Sequence, residues 1–379
     1  MKFTIPRTTL LTALSITGKA VDNNNIIISA CSMYKFDISK DKLTIAANNM
    51  REQIRLNTPC KSDFDGSFLF PAKELIALIK AIPEQPVNFE IQSHIIPATE
   101  HQPEQISFST TIFYSKGKAN LPLELGENFP EIKHNSEQVL TISADDLNEG
   151  IYRTLYACSN DELRPVFTGV LVEVAKDKLR FSGCDANVLS TFIFDYKSKT
   201  EAQIIIPKNC LKLFQDLSLM GEISLSISKT SIQVNFANTE INCLLIDEKV
   251  IDYKQIIPVD NNIITCVDKD EILSALSRAA IFCNKFNNLI QMNVTPSSIT
   301  LKGEDTNYSR DNIEDVSCSG VGDIIIGTNI NWLTSSIQRV TTDKFWLSFK
   351  AYNKAMVITE YEPIGDSENL MLVMPLWVS

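Results

Sequence analysis

The sequence has few of the residues that carry catalytic or metal chemistry. Its three histidines, His94, His101 and His134, lie in one polar region, and no Cys or acidic pair is spaced to join them in a zinc site. It has no GxGxxG, HExxH or GxSxG motif and no GxxxxGK followed by Ser or Thr. The adjacent carboxylates of Asp145 and Asp146 would not face each other on a helix. We therefore predict no catalytic residue, no metal and no cofactor.

Long apolar runs and paired cysteines are also missing. No stretch of about 18 apolar residues could span a membrane, and the N-terminus has no apolar signal core. The nine cysteines are dispersed without a CxxC, mostly inside apolar runs, as expected of buried structural thiols in a reducing compartment. We expect a cytoplasmic protein with no membrane partner.

Basic residues are outnumbered by acidic ones, which bears on nucleic-acid binding. The net charge of the 379-residue chain is −11, whereas a surface that binds phosphates normally carries a basic excess. A DNA partner would require the basic residues to be gathered on one surface. The length itself suggests two or three domains.

One strand pattern occurs three times. Segments 42–49, 178–185 and 298–305 each alternate apolar and polar residues and then reach small or polar ones. Each copy lies between two predicted helices. These helices are predicted over residues 6–20, 71–82, 143–158, 207–217, 268–283 and 328–340.

Capping residues mark the starts of these helices. Ser143 and the acids near Asp268 suit an N-terminal turn. Pro71 and Pro207 precede two others, where a missing N–H is harmless. Thr328 or Asn329 caps the last. Together the six helical segments carry a net charge of +2, which leaves a net charge of −13 for the other residues.

The whole pattern recurs at intervals of about 120 to 135 residues, too long for a solenoid repeat. Short turns such as 228–231 predict antiparallel strands. The fold class is therefore α+β, with three similar domains that each pack two helices on antiparallel sheet. We place these domains at residues 1–135, 136–259 and 260–379, with a longer loop over residues 92–105 of the first.

The chain resembles the bacterial DNA polymerase III beta subunit family, the DNA sliding clamps, along its whole length. The segments that carry the resemblance are Met1–Ile5 with Arg7 and Leu10-Leu11, Phe70–Lys73, Arg164–Leu171, Asp252–Pro258, Arg278–Ile281 and the terminal Val373–Leu376.

The resemblance implies a ring-forming fold and a non-catalytic function. Two protomers would join head to tail into a closed homodimer that encircles double-stranded DNA, with helices lining the pore and sheets outside. By similarity Leu121 would meet Ile281 and Phe282 across the dimer interface, although ordinary core positions would have the same residue types. The ring would give processivity to the replicative DNA polymerase. Because DNA would lie in the pore, the acidic excess of the chain would belong to the outer shell of the ring.

The resemblance also implies a DNA-contacting surface. DNA would be held by topology and by phosphate contacts that do not read sequence. The resemblance implies that Lys73 and Asn23 occupy the positions of DNA-contacting residues. Asp161 also occupies a contact position of the family, but its carboxylate would repel phosphate. The helix pattern adds further basic candidates, for which a solvated helix face is the alternative: Arg7, Arg153, Lys208, Lys212 and Arg339.

A second expected surface is an apolar pocket for short peptides of the polymerase catalytic subunit, the clamp loader and repair proteins. The segment 184–188 departs from the family pattern, which predicts an altered peptide preference. Core between the second and third domains is the alternative for most of the positions that match. These positions are Phe167, Cys184, Ala186, Asn187, Val188, Leu189, Ile251, Gln255, Ile256, Phe286, Trp332, Met374, Pro375 and Leu376.

Two other functions remain open from the sequence. A clamp-like paralogue could keep the fold and the peptide pocket without forming a loadable ring, and it would stay monomeric at high concentration. An unrecognised enzyme would need a recessed cluster of carboxylates or histidines, which the sequence does not suggest.

Overall fold

The computed structural model describes residues 1–24, 27–96, 105–198, 200–362 and 367–377. Within them the chain forms six α-helices: α1 (Arg7–Thr17), α2 (Ala72–Ala81), α3 (Ala144–Thr154), α4 (Lys208–Asp216), α5 (Lys269–Ala279) and α6 (Ile330–Ile337). All six lie within the predicted helical segments. Single turns of 3₁₀ helix follow α1 and α3.

The strands of the first half of the chain are β1 (Lys2–Pro6), β2 (Met33–Ser39), β3 (Lys42–Asn48), β4 (Glu52–Pro59), β5 (Lys61–Ser62), β6 (Gly66–Pro71), β7 (Pro86–Ile96), β8 (Gln105–Tyr114), β9 (Gly117–Leu125), β10 (Gln138–Ser143), β11 (Gly169–Val174), β12 (Lys178–Cys184) and β13 (Val188–Asp195). Those of the second half are β14 (Ala202–Pro207), β15 (Glu222–Ile227), β16 (Ser231–Phe236), β17 (Thr239–Leu244), β18 (Ile263–Asp268), β19 (Leu289–Val294), β20 (Ser298–Asp305), β21 (Arg310–Val321), β22 (Ile324–Asn329), β23 (Lys344–Phe349), β24 (Met356–Glu360), β25 (Glu368–Val373) and β26 (Pro375–Leu376).

These strands form two 13-stranded antiparallel sheets. One has the order β10-β15-β16-β17-β4-β3-β2-β6-β9-β8-β7-β1-β5, and the other β14-β11-β12-β13-β25-β24-β23-β18-β21-β20-β19-β22-β26. The sheets continue across domains, because β17 pairs with β4 and β13 pairs with β25. The predicted domain of residues 136–259 therefore supplies strands to both sheets.

The chain divides into two compact units. The first comprises Met1–Ala144 with Lys212–Leu245, and the second Asp145–Leu211 with Ile246–Ser379. In the first unit α1 packs against α2, and in the second α5 packs against α6. The repeated strand of the sequence is β3, β12 and β20, each flanked by antiparallel neighbours. The prediction of an α+β fold with helices packed on antiparallel sheet is confirmed.

Local signals explain where the helices begin. The Asp268 carboxylate accepts bonds from the N–H groups of Asp270 and Glu271 at the start of α5. Asn329 does the same for Asn331 and Trp332 at the start of α6. Pro71 precedes α2, as predicted. The turn at 228–231 joins antiparallel β15 and β16.

The predicted loop over 92–105 is wrong at both ends. Strand β7 continues to Ile96, and β8 begins at Gln105. Residues Gln92–Ile96 pair with Gln105–Ser109 in a continuous antiparallel ladder. Residues 97–104, which include His101, lie outside the described residues.

The cysteines are free thiols. Seven are buried, and Cys266 and Cys318 are half-buried. Burial raises the pKa of the Cys158 thiol to about 12 and that of Cys184 to about 11, so both stay protonated at neutral pH.

Candidate functional site

Two residues expected to contact DNA lie in one cleft of the first unit. Asn23 and Lys73 both line a cavity of about 300 Å³ at α1 and α2. Lys19, in the 3₁₀ turn after α1, and Lys80, at the end of α2, line it too. All four side chains are exposed. The cleft therefore presents three ammonium groups and one amide at a helical surface, as phosphate contact requires.

Lys19 and Lys80 were not singled out as site residues from the sequence. Lys80 follows Lys73 by seven positions, which places both on the same face of a helix. That spacing was the available signal. Lys19 Nζ lies 3.8 Å from the carboxylate of Asp216, which partly offsets its charge. Asn25, two residues after Asn23, lies outside the described residues.

Arg153 does not offer its charge to a ligand, so this prediction is wrong. Its side chain is only 4% exposed. It donates to Glu360 and to the Arg339 carbonyl, each at 2.7 Å, and to Glu149 at 2.6 Å. Although burial raises the pKa of Glu360, its bonds from Arg153 and Thr341 hold that pKa below the ordinary value. The guanidinium joins α3 to the C-terminal strands.

Three other basic candidates are occupied by contacts within the chain. Arg7 donates from Nε to the Ile79 carbonyl and from Nη2 to that of Lys80, each at 2.9 Å, where it caps α2. Lys208 donates to the Cys158 carbonyl at 2.8 Å. The Arg339 guanidinium lies over Tyr152, 4.3 Å from the ring centroid, and also over Tyr156.

Lys212 and Asp161 complete the set of charged positions. Lys212 is exposed on α4. The Asp161 carboxylate accepts a bond from Arg164 Nε at 3.0 Å. This bond and one from the Leu163 N–H lower the pKa of the carboxyl. Pairing with Arg164 offsets the repulsion that Asp161 alone would exert on phosphate.

The residues expected in a peptide pocket fall into several groups in the second unit. Phe167, Cys184, Leu189 and Ile251 belong to one apolar cluster. Of these, Phe167 and Ile251 are only partly buried. Cys184, Leu189 and Val188 are buried, so the prediction that they contact a ligand directly is wrong. They pack behind the surface instead.

The C-terminal run lines a second cavity. Met374, Pro375 and Leu376 border a space of about 380 Å³ together with Tyr352 and Trp377. The N–H of Met374 donates to the Asn187 carbonyl at 2.8 Å, which joins this run to the exposed Ala186. Tyr352 and Trp377 were missed from the sequence, although Trp377 directly follows the C-terminal motif.

The remaining pocket candidates lie elsewhere on the second unit. Gln255 and Ile256 are exposed on a 3₁₀ turn, where the Gln255 amide donates to Asp252. Trp332 is half-buried against the core of the C-terminal domain. Phe286 is almost fully exposed in the loop after α5. Its N–H donates to Asn284 Oδ1 at 2.8 Å, which fixes the turn.

The residues expected at the dimer interface lie on two surfaces. Leu121 is half-buried on β9 of the first unit. Ile281, 61% exposed, and the half-buried Phe282 follow α5 in the second unit. The structure describes one chain, so their mutual contact stays a prediction.

The described ranges hold neither a metal-binding cluster nor a membrane-spanning helix. No group of three or more His, Cys, Asp or Glu there is arranged to hold a metal ion. No helix in the same part of the chain is long and apolar enough to cross a membrane.

Comparison with protein families decides the relationship of the chain. Models of the DNA polymerase III beta subunit match in chain order: the N-terminal domain over residues 1–110, the central domain over 141–252 and the C-terminal domain over 254–376. The chain belongs to the DNA polymerase III beta subunit family. All three domains of the family are present in this single chain.

Individual members of the beta subunit family have low sequence identity to this chain. A beta sliding clamp of Synechococcus elongatus is 23% identical over 390 residues, with 99% of each chain covered. The crystal structure of the beta subunit from Pseudomonas aeruginosa has a TM-score of 0.90 at 19% identity, and that of the sliding clamp from Caulobacter crescentus 0.89 at 21%. Each covers the whole of this chain.

Proposed function

We propose that this chain is a DNA sliding clamp, in which two copies join head to tail and encircle duplex DNA. The observation that carries the proposal is the series of three family domains, which match in order along nearly the whole chain. A head-to-tail contact closes into a ring when its rotation allows closure. Three domains per copy would then give six around a pore.

The cleft that holds Asn23 and Lys73 supports a role in DNA contact. Mobile ammonium groups attract phosphate without reading bases, which suits a ring that must slide. We assign Lys19, Lys73 and Lys80 to this contact, together with the exposed Lys212. Arg7, Lys208 and Arg339 would contribute positive potential rather than direct phosphate contacts, because their cationic groups already interact within the protein.

Partner proteins would dock in the second unit as short peptides. The surface around Met374, Pro375 and Leu376 combines apolar side chains with few polar anchors. The half-buried Phe167 and the exposed Ala186 belong to the same unit. The partners would be the DNA polymerase catalytic subunit, the clamp loader and repair proteins in the cytoplasm. The chain itself would do no chemistry and would raise polymerase processivity.

The test uses topology. Purified chain is loaded onto a nicked circular plasmid with a bacterial clamp loader and ATP, separated from free protein by gel filtration, and the plasmid is then cut once. We expect co-elution with the circle and loss from the linear form, because a ring slides off an end. Equal retention on both forms would contradict a topological link. A monomer at high concentration that is not retained on either would favour the clamp-like paralogue.

A further inference from the structure

A polar cavity lies on one face of the second sheet, apart from the residues assigned to DNA and to peptides. Its volume is about 510 Å³, which is the size of a small-molecule site. Strands β11, β12, β13, β14 and β25 supply its floor, and residues of the segment 250–257 line the rest. Of the residues assigned above to DNA or peptide contact, only Ile251 borders it. The cavity is therefore a separate site, and all of its residues belong to the second unit.

The strand register arranges the floor of the cavity in rows. Residues two positions apart on a strand point to the same face of a sheet, so neighbouring rows form one surface. That surface mixes apolar, hydroxyl and charged side chains, which suits a ligand that has both an apolar and a polar part. The two rows across β12, β13 and β25 are Ser182, Thr191 and Leu370, and then Arg180, Ile193 and Glu368.

Two of the three carboxylates that border the cavity are paired with neighbouring side chains. Glu173 accepts a bond from Arg180 Nη1 and another from Gln203 Nε2, each at 3.2 Å. Glu368, which is largely exposed to water, lies 3.6 Å from the ammonium group of Lys178. Both carboxylates therefore have their charge offset by the protein itself.

The third carboxylate, Asp252, holds the segment 250–257 in shape. It accepts bonds from the Lys254 N–H at 3.2 Å and from the Gln255 side-chain amide at 3.0 Å, at the start of a 3₁₀ turn. Both of its oxygen atoms are engaged in this way. The wall of the cavity is consequently formed before a ligand binds, which lowers the cost of binding.

Several hydrogen-bond donors at the cavity lack partners within the described ranges. Apart from its bond to Glu173, the Arg180 guanidinium makes none, and the exposed ammonium group of Lys254 is unpaired. The Tyr253 hydroxyl is also without a partner, and because burial raises its pKa it stays protonated at neutral pH and can donate. Ser182, 1% exposed, has a buried hydroxyl that makes no hydrogen bond. Buried polar groups without partners call for an explanation, such as a bound ligand.

We propose that this cavity binds a small molecule that carries an oxyanion, either a phosphate or a carboxylate, on a partly apolar body. The oxyanion takes the free N–H groups of Arg180, whose planar fork suits both groups, and the Lys254 ammonium. The Tyr253 hydroxyl donates a further bond, and Ile193 and Leu370 contact the apolar body. A cationic ligand would find no such set, because the carboxylates already have donors. This site goes beyond the proposed clamp function.

The first test compares four probes that share a benzene ring and differ in charge. Phenyl phosphate, benzoate, benzylamine and benzyl alcohol are titrated into the full chain, in a buffer free of phosphate and carboxylates, and binding is followed by saturation-transfer NMR. At least one oxyanion should bind in a saturable way, about tenfold more tightly than the amine and the alcohol. The tighter of the two oxyanions identifies the source. No saturable binding of either, or equal binding of the amine, would overturn the proposal.

The second test uses variants to locate the bound oxyanion. Arg180→Gln should weaken its binding about tenfold, and Lys254→Gln, at an exposed position, about threefold. Arg278→Gln is the matched control, because Arg278 also pairs with a glutamate, Glu314 at 2.6 Å, but does not border the cavity. The control should bind like the parent. Parent affinity in both cavity variants would place the oxyanion elsewhere and contradict the assignment.

Tyr253→Phe separates ligand binding from folding. The hydroxyl that it removes has no partner in the described chain, so the thermal midpoint should not fall, whereas binding of the oxyanion should weaken about threefold. Saturating oxyanion should raise the midpoint of the parent and leave that of Arg180→Gln unchanged. A lower midpoint of Tyr253→Phe with unchanged affinity would show a structural role only and contradict the proposed donor.

The ring and the cavity have separate readouts. Lys254→Gln should remain on nicked circles as the parent does, since this position is assigned to neither DNA nor the dimer contact. If neither oxyanion binds while the parent stays on nicked circles, the cavity proposal fails and the clamp proposal stands. If an oxyanion binds while the chain is never retained, the clamp proposal fails and the cavity proposal stands.

Discussion

Arg153 and Glu360 form a buried ion pair whose loss should be costly. We expect Arg153→Met to lower the free energy of unfolding by about 3–5 kcal/mol, because Glu360 would remain buried without its cation. The Thr341 hydroxyl and N–H still bind that carboxylate, but they carry no full charge. Urea denaturation followed by circular dichroism measures the change.

The double variant Arg153→Met/Glu360→Leu is the control for the ion pair. Removing both charges leaves no buried carboxylate, so it should recover most of the lost stability. Should the double variant be as unstable as the single one, loss of packing by the long Arg153 side chain would be the cause instead.

His134 gives the first unit a pH-dependent contribution to stability. Its Nδ1 lies 2.9 Å from the Ser231 hydroxyl and its Nε2 2.9 Å from that of Ser226. Burial lowers the pKa of His134, against an opposing effect of Glu240. The folded state thus binds fewer protons than the unfolded chain, whose histidine titrates near its ordinary value of about 6.5. Stability from this residue is present above that pH and is lost as pH falls below it.

The variant His134→Gln removes this titration. Between pH 7.5 and 5.5 the thermal midpoint of the parent should fall more steeply than that of the variant. Parallel midpoints over this range would show that His134 does not couple folding to protons.

At the scale of elements, the repeated strand crosses a helix end very closely. A Cβ added to Gly183 on β12 would lie 2.1 Å from the carbonyl oxygen of Thr154, and one added to Gly303 on β20 would lie 2.7 Å from that of Ala279. Both neighbours are backbone and cannot rotate away. We expect Gly183→Ala to cost about 1–3 kcal/mol and Gly303→Ala less, as measured by urea denaturation.

Gly221→Ala separates backbone strain from crowding. Gly221 has φ +75°, and an added Cβ would meet nothing within 4 Å, so only the strain of the left-handed conformation applies. A loss for Gly183→Ala no larger than for Gly221→Ala would contradict the crowding argument.

Elements were predictable where their cause is local. Asp268 and Asn329 cap helices through bonds to residues two and three positions away. The repeated strand is recognised from the alternation of apolar and polar residues along the sequence. The ends of β7 and β8 were missed because their pairing depends on each other. Arg153 was misassigned for the same kind of reason: Glu360 lies 207 residues away, and a helical position alone does not say which face is covered.

At the scale of the whole molecule, the proposed ring depends on an exposed apolar contact. Ile281 is 61% exposed in the single chain, so Ile281→Asp should leave each copy folded while placing a charge in the interface. We expect the dissociation constant of the dimer to rise by at least about thirtyfold, as measured by analytical ultracentrifugation. Val259→Asp, at another exposed apolar position, is the matched control and should leave the constant unchanged.

The candidate site was predictable only in part at this scale. The resemblance supplied Asn23 and Lys73, which line one cleft, and the C-terminal run beside a cavity. It could not supply Tyr352, since the β23–β24 turn reaches the C-terminal run only through tertiary folding. The burial of Cys184, Val188 and Leu189 likewise depends on strand β25. This strand lies near the end of the chain and pairs with β13.

The continuity of the two sheets limits how such a chain can be divided. Residues 136–259 expressed alone would lose the partners of β17 and β13, both at once. Each would become a bare strand edge, and apolar bare edges recruit other chains into aggregates. Replacing one domain at a time would expose the same edges, so a foreign domain must supply strands that match β4 and β25.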